Sequence, residues 1–148
     1  MPGDIEELDY RALSEIRYRI RRFLNFSEAS ARAVGLEPQQ HQLLLAVRGL
    51  PDGETPTVKR IAERLQLQHH SVVELVRRCA ENGLVRKRTS EEDRRVVLVE
   101  ITPRGKKLLE QLAFAHRTEL RSMAPALMGA MAMLVGDRRP TRARGGEQ

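Results

Sequence analysis

The chain has no tryptophan, and its few phenylalanines and tyrosines bring the aromatic share to only 3%. Proteins that read RNA or single strands stack bases on aromatic rings, so this composition leaves too few rings for such a platform. A single cysteine cannot close an intrachain disulfide, and four scattered histidines form no metal-ligand box. Disulfide-stapled and zinc-built folds are therefore set aside, and no metal or cofactor is expected. The longest mostly apolar stretch, 124–135, is shorter than the ~20 residues that cross a bilayer. The residues after Met1 lack the charged-then-apolar order of a secretory signal, so a cytoplasmic chain with no membrane partner is expected. A Walker loop and a GxGxxG fingerprint are missing too. Cys79 lies nine residues beyond His70, about 13 Å along a helix and too far for a nucleophile and its base. No enzyme is expected.

What remains is a chain of 148 residues, 41% hydrophobic and 31% charged, the profile of one domain over 1–148. Its net charge is +6, which favours polyanionic partners. The excess is local: between 57 and 105 basic residues outnumber acidic ones eleven to seven, whereas 1–36 holds six of each.

Apolar residues at Ile5, Leu8, Ala12, Leu13, Ile16, Ile20, Phe23 and Leu24 follow the three-and-four spacing of a helix face, predicting a long amphipathic helix over 5–34 that Gly35 stops. Pro38 opens a second helix, which Pro51-Asp52-Gly53 ends in a turn. Thr57 caps a short third helix, and Gln66-Leu67 lead directly into a fourth that begins near Gln68 and ends at Asn82-Gly83. On the fourth helix Val72, Val73, Val76, Cys79 and Ala80 are expected inward, and His69, Ser71, Glu74, Arg77 and Arg78 outward. Two β-branched stretches, 84–89 and 96–101, flank a polar tip and predict a hairpin. Thr102-Pro103 starts another helix over 103–135, which Pro125 is expected to break or kink, leaving 126–135 as a buried last helix. The Gly-, Pro- and Arg-containing stretch 137–148 shows no periodicity and reads as a disordered basic tail.

The order helix, helix, short turn, helix, hairpin over 38–101 is that of a winged helix-turn-helix. The fold class expected is mainly α with a small β-hairpin wing. The resemblance becomes specific in the run Thr57-Val-Lys-Arg-Ile-Ala-Glu-Arg-Leu65, in Ser71-Val72, Leu75-Val76 and Gly83-Leu84-Val85, and in Asp93-Arg94-Arg95 followed by Leu98-Val-Glu-Ile-Thr-Pro-Arg-Gly105. These residues resemble the multiple antibiotic resistance regulator (MarR) family of repressors over nearly the whole chain. Two positions depart from that pattern: Gln66 stands in place of a turn glycine, and Gln68 in place of a small capping residue. The resemblance implies that 5–34 and 103–135 interlock two copies into a homodimer, which presents two reading helices to a near-palindromic operator.

The cations suited to duplex phosphates are Lys59 and Arg60 at the start of the third helix, Arg77 and Arg78 on the fourth, and Arg86, Lys87, Arg88, Arg94 and Arg95 around the hairpin. Thr57, which sets the start of the third helix, is counted with them. A reading helix inserted by its N-terminal half brings Gln68, His69, His70, Ser71 and Glu74 nearest the base edges. Glu74 either reads a base, pairs with Arg77 or Arg78 at helical spacing, or rejects wrong sites. Arg94 or Arg95 suits a narrow minor groove, with Asp93 holding the chosen guanidinium in a fork; the resemblance favours Arg95. The resemblance also implies a small-molecule effector between the dimer helices and the DNA-binding lobe, for which Tyr10, Arg17, Tyr18, Arg21 and His41 are candidates. Cys79, on the inward side, reads as a packed thiol rather than a redox sensor. The function expected is a ligand-responsive repressor bound to double-stranded DNA. The competing class is a winged helix that binds another protein and keeps a basic hairpin for solubility.

Overall fold

Helix ends follow the capping signals of the sequence in the computed structural model of the chain, which describes residues 3–136. The expected basic tail at 137–148 lies outside the described residues. The elements run α1 Glu7–Ala33, α2 Pro38–Arg48, α3 Val58–Leu65, α4 His69–Glu81, β1 Val85–Thr89, β2 Val97–Ile101 and α5 Pro103–Val135. No described helix is long and apolar enough to cross a membrane. α1 starts two residues later than the apolar spacing suggested, because Glu6 and Asp9 close a reciprocal capping box there and leave Ile5 outside. It ends where Gly35 turns left-handed at φ 84° and the Leu36 N–H donates back to the Ala31 carbonyl. Pro38 occupies the first turn of α2, where its missing N–H costs nothing.

The turn between α3 and α4 is tight because Gln66 adopts the left-handed conformation at φ 55°, the only non-glycine to do so among the described residues. Its side-chain amide donates to the Glu63 carbonyl at 2.8 Å, satisfying one of the orphan acceptors at the end of α3. Gln68 occupies the N-cap of α4 without a side-chain cap.

β1 and β2 pair antiparallel from Val85↔Ile101 to Thr89↔Val97. The wing is tied to α3 as well, since the Val99 N–H donates to the Pro56 carbonyl at 2.9 Å and Thr57 bridges Leu98. The Thr-Pro-x-Gly sequence after β2 acquires a physical reason. Thr102 Oγ1 accepts from the Gly105 N–H at 3.1 Å and donates to the Gly83 carbonyl at 2.6 Å, capping α5 and fastening it to the end of α4. A Cβ on Gly105 would lie 2.2 Å from the Leu84 carbonyl oxygen, so the backbones meet only because that residue is glycine. The wing root and the start of α5 thus move as one piece.

Leu43, Leu44, Ile61, Val72, Leu75, Val76, Cys79, Leu84 and Val99 form the core, which Leu109 and Leu112 of α5 and Ala31 of α1 join. α1 and α5 run against each other beyond it. Three expectations are corrected. α5 passes through Pro125 without ending, since losing one hydrogen bond to the Arg121 carbonyl does not offset the turns on either side. Residues 126–135 are not a buried last helix but the far part of α5, with Met128 66% and Val135 83% exposed because nothing in one chain covers them. Val73, expected inward, is 48% exposed, while Leu75 takes the inward place, as the 3.6-residue period from Val72 and Val76 requires.

Candidate nucleic-acid interface

The N-terminal half of α4, the start of α3 and the wing meet along one cleft of about 350 Å³, lined by Thr57, Lys59, His69, Val73, Arg95 and Val97 among others. Thr57 serves here as the cap of α3, its Oγ1 accepting from the Arg60 N–H at 3.0 Å. Gln68, His69 and His70 are exposed at the first turn of α4, whereas Ser71 is half-buried. Arg95 is held as the fork reading requires: the Asp93 carboxylate accepts from its backbone N–H at 3.0 Å and from Nε and Nη2 at 3.2 and 3.4 Å. These bonds, the side-chain one foremost, keep the Asp93 carboxyl below its ordinary range, so it stays ionised opposite the guanidinium. The Arg95 side chain is nevertheless 92% exposed, a preset cation presented to solvent. Lys59, Arg86, Lys87 and Arg94 are exposed on the same segment.

The helix-turn-helix arginines behave differently, each being engaged by carboxylates of its own chain. Arg60 is gripped by Glu54, at 2.6 and 2.8 Å, and by Glu63 at 2.8 Å, contacts that raise its pKa further and lower that of Glu54. Arg77 pairs with Glu74 and Glu81 at helical spacing. The hydrogen bond from Arg77 pulls the Glu74 pKa down, so of the three roles open to Glu74 the structure displays pairing. Arg78 turns toward α2, 3.3 Å from Glu37 and within reach of Gln39. On the wing, Arg88 is paired across the strands with Glu100 at 2.9 Å.

A second cleft, about 490 Å³, opens between α1, α2 and α5, lined by Phe23, His41, Leu45, His116, Leu120 and the arginines Arg117 and Arg121 among others. His41 is the one effector candidate that borders it; Tyr10, Arg17, Tyr18 and Arg21 are exposed elsewhere on α1, with Arg19 and Arg22 stacked over the Tyr18 ring. His116 was missed. Its ring lies 4.8 Å from that of His41 and edge-on to Phe23 and Phe26. It contacts the Leu112 carbonyl and Ser27 Oγ, each at 2.7 Å. Because a carbonyl only accepts, Nδ1 carries the proton there. The available signal was its place four residues after Leu112, on the buried stripe of α5. His41 is pushed down to about pKa 4, first by burial and then by the neighbouring His116, so it is neutral near pH 7.

Cys79 is fully buried, and burial pushes its thiol up to about 12, which leaves it protonated and unreactive as expected of a packed thiol. Among the described residues no three His, Cys, Asp or Glu side chains converge as a metal site.

Comparison with known proteins agrees with this geometry. The MarR family model matches residues 34–96, from the end of α1 to the wing. The organic hydroperoxide resistance transcriptional regulator of Bacillus subtilis (strain 168) is 38% identical over 74 residues, 50% of this chain and 48% of that protein, so the match spans about half the length of the relative. Among solved structures, AbsC, a MarR family transcriptional regulator from Streptomyces coelicolor, superposes with a TM-score of 0.71 at 16% identity, over 90% of this chain and 93% of its own. MepR of S. aureus, in a complex with DNA, superposes with a TM-score of 0.66 at 19% identity, over 80% and 88% of the two chains. The matched segment carries the helix-turn-helix and the wing up to the start of β2, and the shared fold extends over most of the chain, so the chain is similar to MarR family regulators in its central segment and in its fold.

Proposed function

We propose that the chain is a transcriptional regulator that binds double-stranded DNA as a homodimer and represses from a near-palindromic operator until a small molecule releases it. The observation that carries this reading is the Arg95 guanidinium, fixed by Asp93, fully presented to solvent, and sharing one cleft with the first turn of α4. A helix entering the major groove by that turn brings Gln68, His69 and His70 to base edges. The wing then reaches the adjacent minor groove, where a narrow, strongly negative channel suits Arg95. Lys59, Arg86, Lys87 and Arg94 serve phosphates. MepR, of the same fold, is found in a complex with DNA, which supports DNA as the partner.

The second copy is supported by apolar surface that one chain leaves uncovered. Among the described residues, all the large exposed hydrophobics except Leu45, Val73 and Val97 lie on α1, on α5 or just before α1. Such surface joined along two helices is costly in water and is covered by the same surface of a partner. The two reading helices then face half-sites about one helical turn apart.

The cleft of His41 and His116 is the effector site in this reading. Its walls are mostly apolar, the two rings form its polar floor, and Arg117 and Arg121 border it, a set that suits a small apolar or aromatic anion. Because α2 belongs to the DNA-binding lobe and α5 to the dimer lobe, a ligand wedged between them changes the separation of the reading helices. Thiol oxidation does not enter, since the buried, protonated Cys79 offers no thiolate to a peroxide. Enrichment of duplexes from a random-sequence pool, followed by anisotropy titration at two salt concentrations, tests the reading. The expected outcome is binding that weakens by orders of magnitude with salt; no enrichment, or salt-insensitive binding, contradicts it.

A further inference from the structure

The exposed side of α4 runs His69, His70, Val73, Glu74 and Arg77. A valine in its middle is out of place on a solvated helix face: β-branching costs rotamer freedom in a helix, and exposure returns no burial in exchange. Glu74, beside it, is paired with Arg77, which also holds Glu81 a turn further on, so no unpaired charge stands next to Val73 on this face. It also lines the cleft to which Lys59 and Arg95 contribute cations and which Val97 closes from the wing. His69 stands one turn before it on the same cleft. An apolar centre bordered by cations is complementary to a polyanion that exposes an apolar group between its phosphates. In the major groove that group is the C5 methyl of thymine.

We propose that Val73 is a specificity-determining residue that reads thymine by contact with its C5 methyl. The inference rests on the DNA-binding reading above and adds which base the middle of the reading helix selects. The histidines before Val73 supply hydrogen bonds, while Val73 supplies the contact that distinguishes thymine from the bases without a methyl group.

The test begins with the duplex that the full chain enriches from a random-sequence pool. That duplex is resynthesised with deoxyuridine at one thymidine at a time, which removes the methyl and keeps every hydrogen-bonding group. At one or two thymidines per half-site the wild-type affinity is expected to fall about fourfold, the worth of one buried methyl. Val73→Ser, at an exposed position, keeps the helical circular dichroism and binds the thymidine and deoxyuridine forms equally at those positions. Val73→Thr retains one γ-methyl and part of the preference. A wild type indifferent to every replacement, or a Val73→Ser variant as sensitive as the wild type, overturns the assignment and leaves DNA binding standing. A pool without enrichment overturns the DNA-binding reading and this inference with it.

Discussion

The outer face of the winged helix and its inner side, where it meets α1 and α5, use the same residue types in opposite ways. Outside, His69 and His70 are open to solvent and Arg95 is held outward by an acid two residues away. Inside, His41 and His116 are buried ring against ring, and burial keeps His41 neutral. Even on the outer side arginines divide: Arg60, Arg77 and Arg78 are engaged by glutamates of their own lobe, whereas Arg95 is positioned by its acid without being covered. A residue's type sets what it can do, while its neighbours one turn away and its burial decide whether it is available.

The contrast is broken most severely at the wing root. Gly105→Ala forces a Cβ into the Leu84 carbonyl, which no side-chain rotation relieves, and is expected to cost about 3 kcal/mol of stability in urea unfolding. If it does not, the wing is not fixed to α5 as described. The inner side is probed by pH. Because the folded pKa of His41 is lowered from 6.5 to about 4, its contribution is intact above 6.5 and is lost as pH falls toward the folded value. Unfolding free energy should therefore drop by about 2 kcal/mol between pH 7 and pH 5. His41→Phe should remove most of that slope; a variant as pH-sensitive as the wild type would place the titration elsewhere. On the outer side, Arg95→Ala should weaken duplex binding about tenfold, the lower range for a charge-assisted contact. Arg77→Ala should change it less than threefold, since the guanidinium it removes is already paired with Glu74 and Glu81. Equal losses for the two arginines would erase the distinction drawn between them.

The element order, the wing and the Thr57 and Thr102 caps were legible in the sequence because each depends on residues a few positions apart. A fork on Asp93 was legible for the same reason, although spacing left Arg94 and Arg95 both open and only the resemblance favoured Arg95. The pairing of Arg60 was harder, since Glu54 reaches it across the turn before α3, and that of Arg78 harder still, since Glu37 is the N-cap of α2, 41 positions earlier in the chain. Helical spacing did offer Arg77 or Arg78 as the partner of Glu74, of which the structure shows Arg77, although it left two other roles open. Val73 was misplaced because a valine beside Val72 reads as core unless the turn angle of each is followed from Val76. The His41–His116 contact joins residues from α2 and α5, a long-range meeting that no local pattern announces. Pro125 misled as a breaker because a proline inside a helix weakens it locally, while the long contact of α5 with α1 supports the helix on both sides.

The central claim, that Arg95 is a preset, uncovered cation aimed at DNA, is tested most directly by the salt dependence of duplex binding for the wild type and Arg95→Ala. A guanidinium that displaces counterions from phosphate should, on removal, flatten the slope of log affinity against log salt by about one. An Arg95→Ala variant with the wild-type affinity and an unchanged slope would contradict the account.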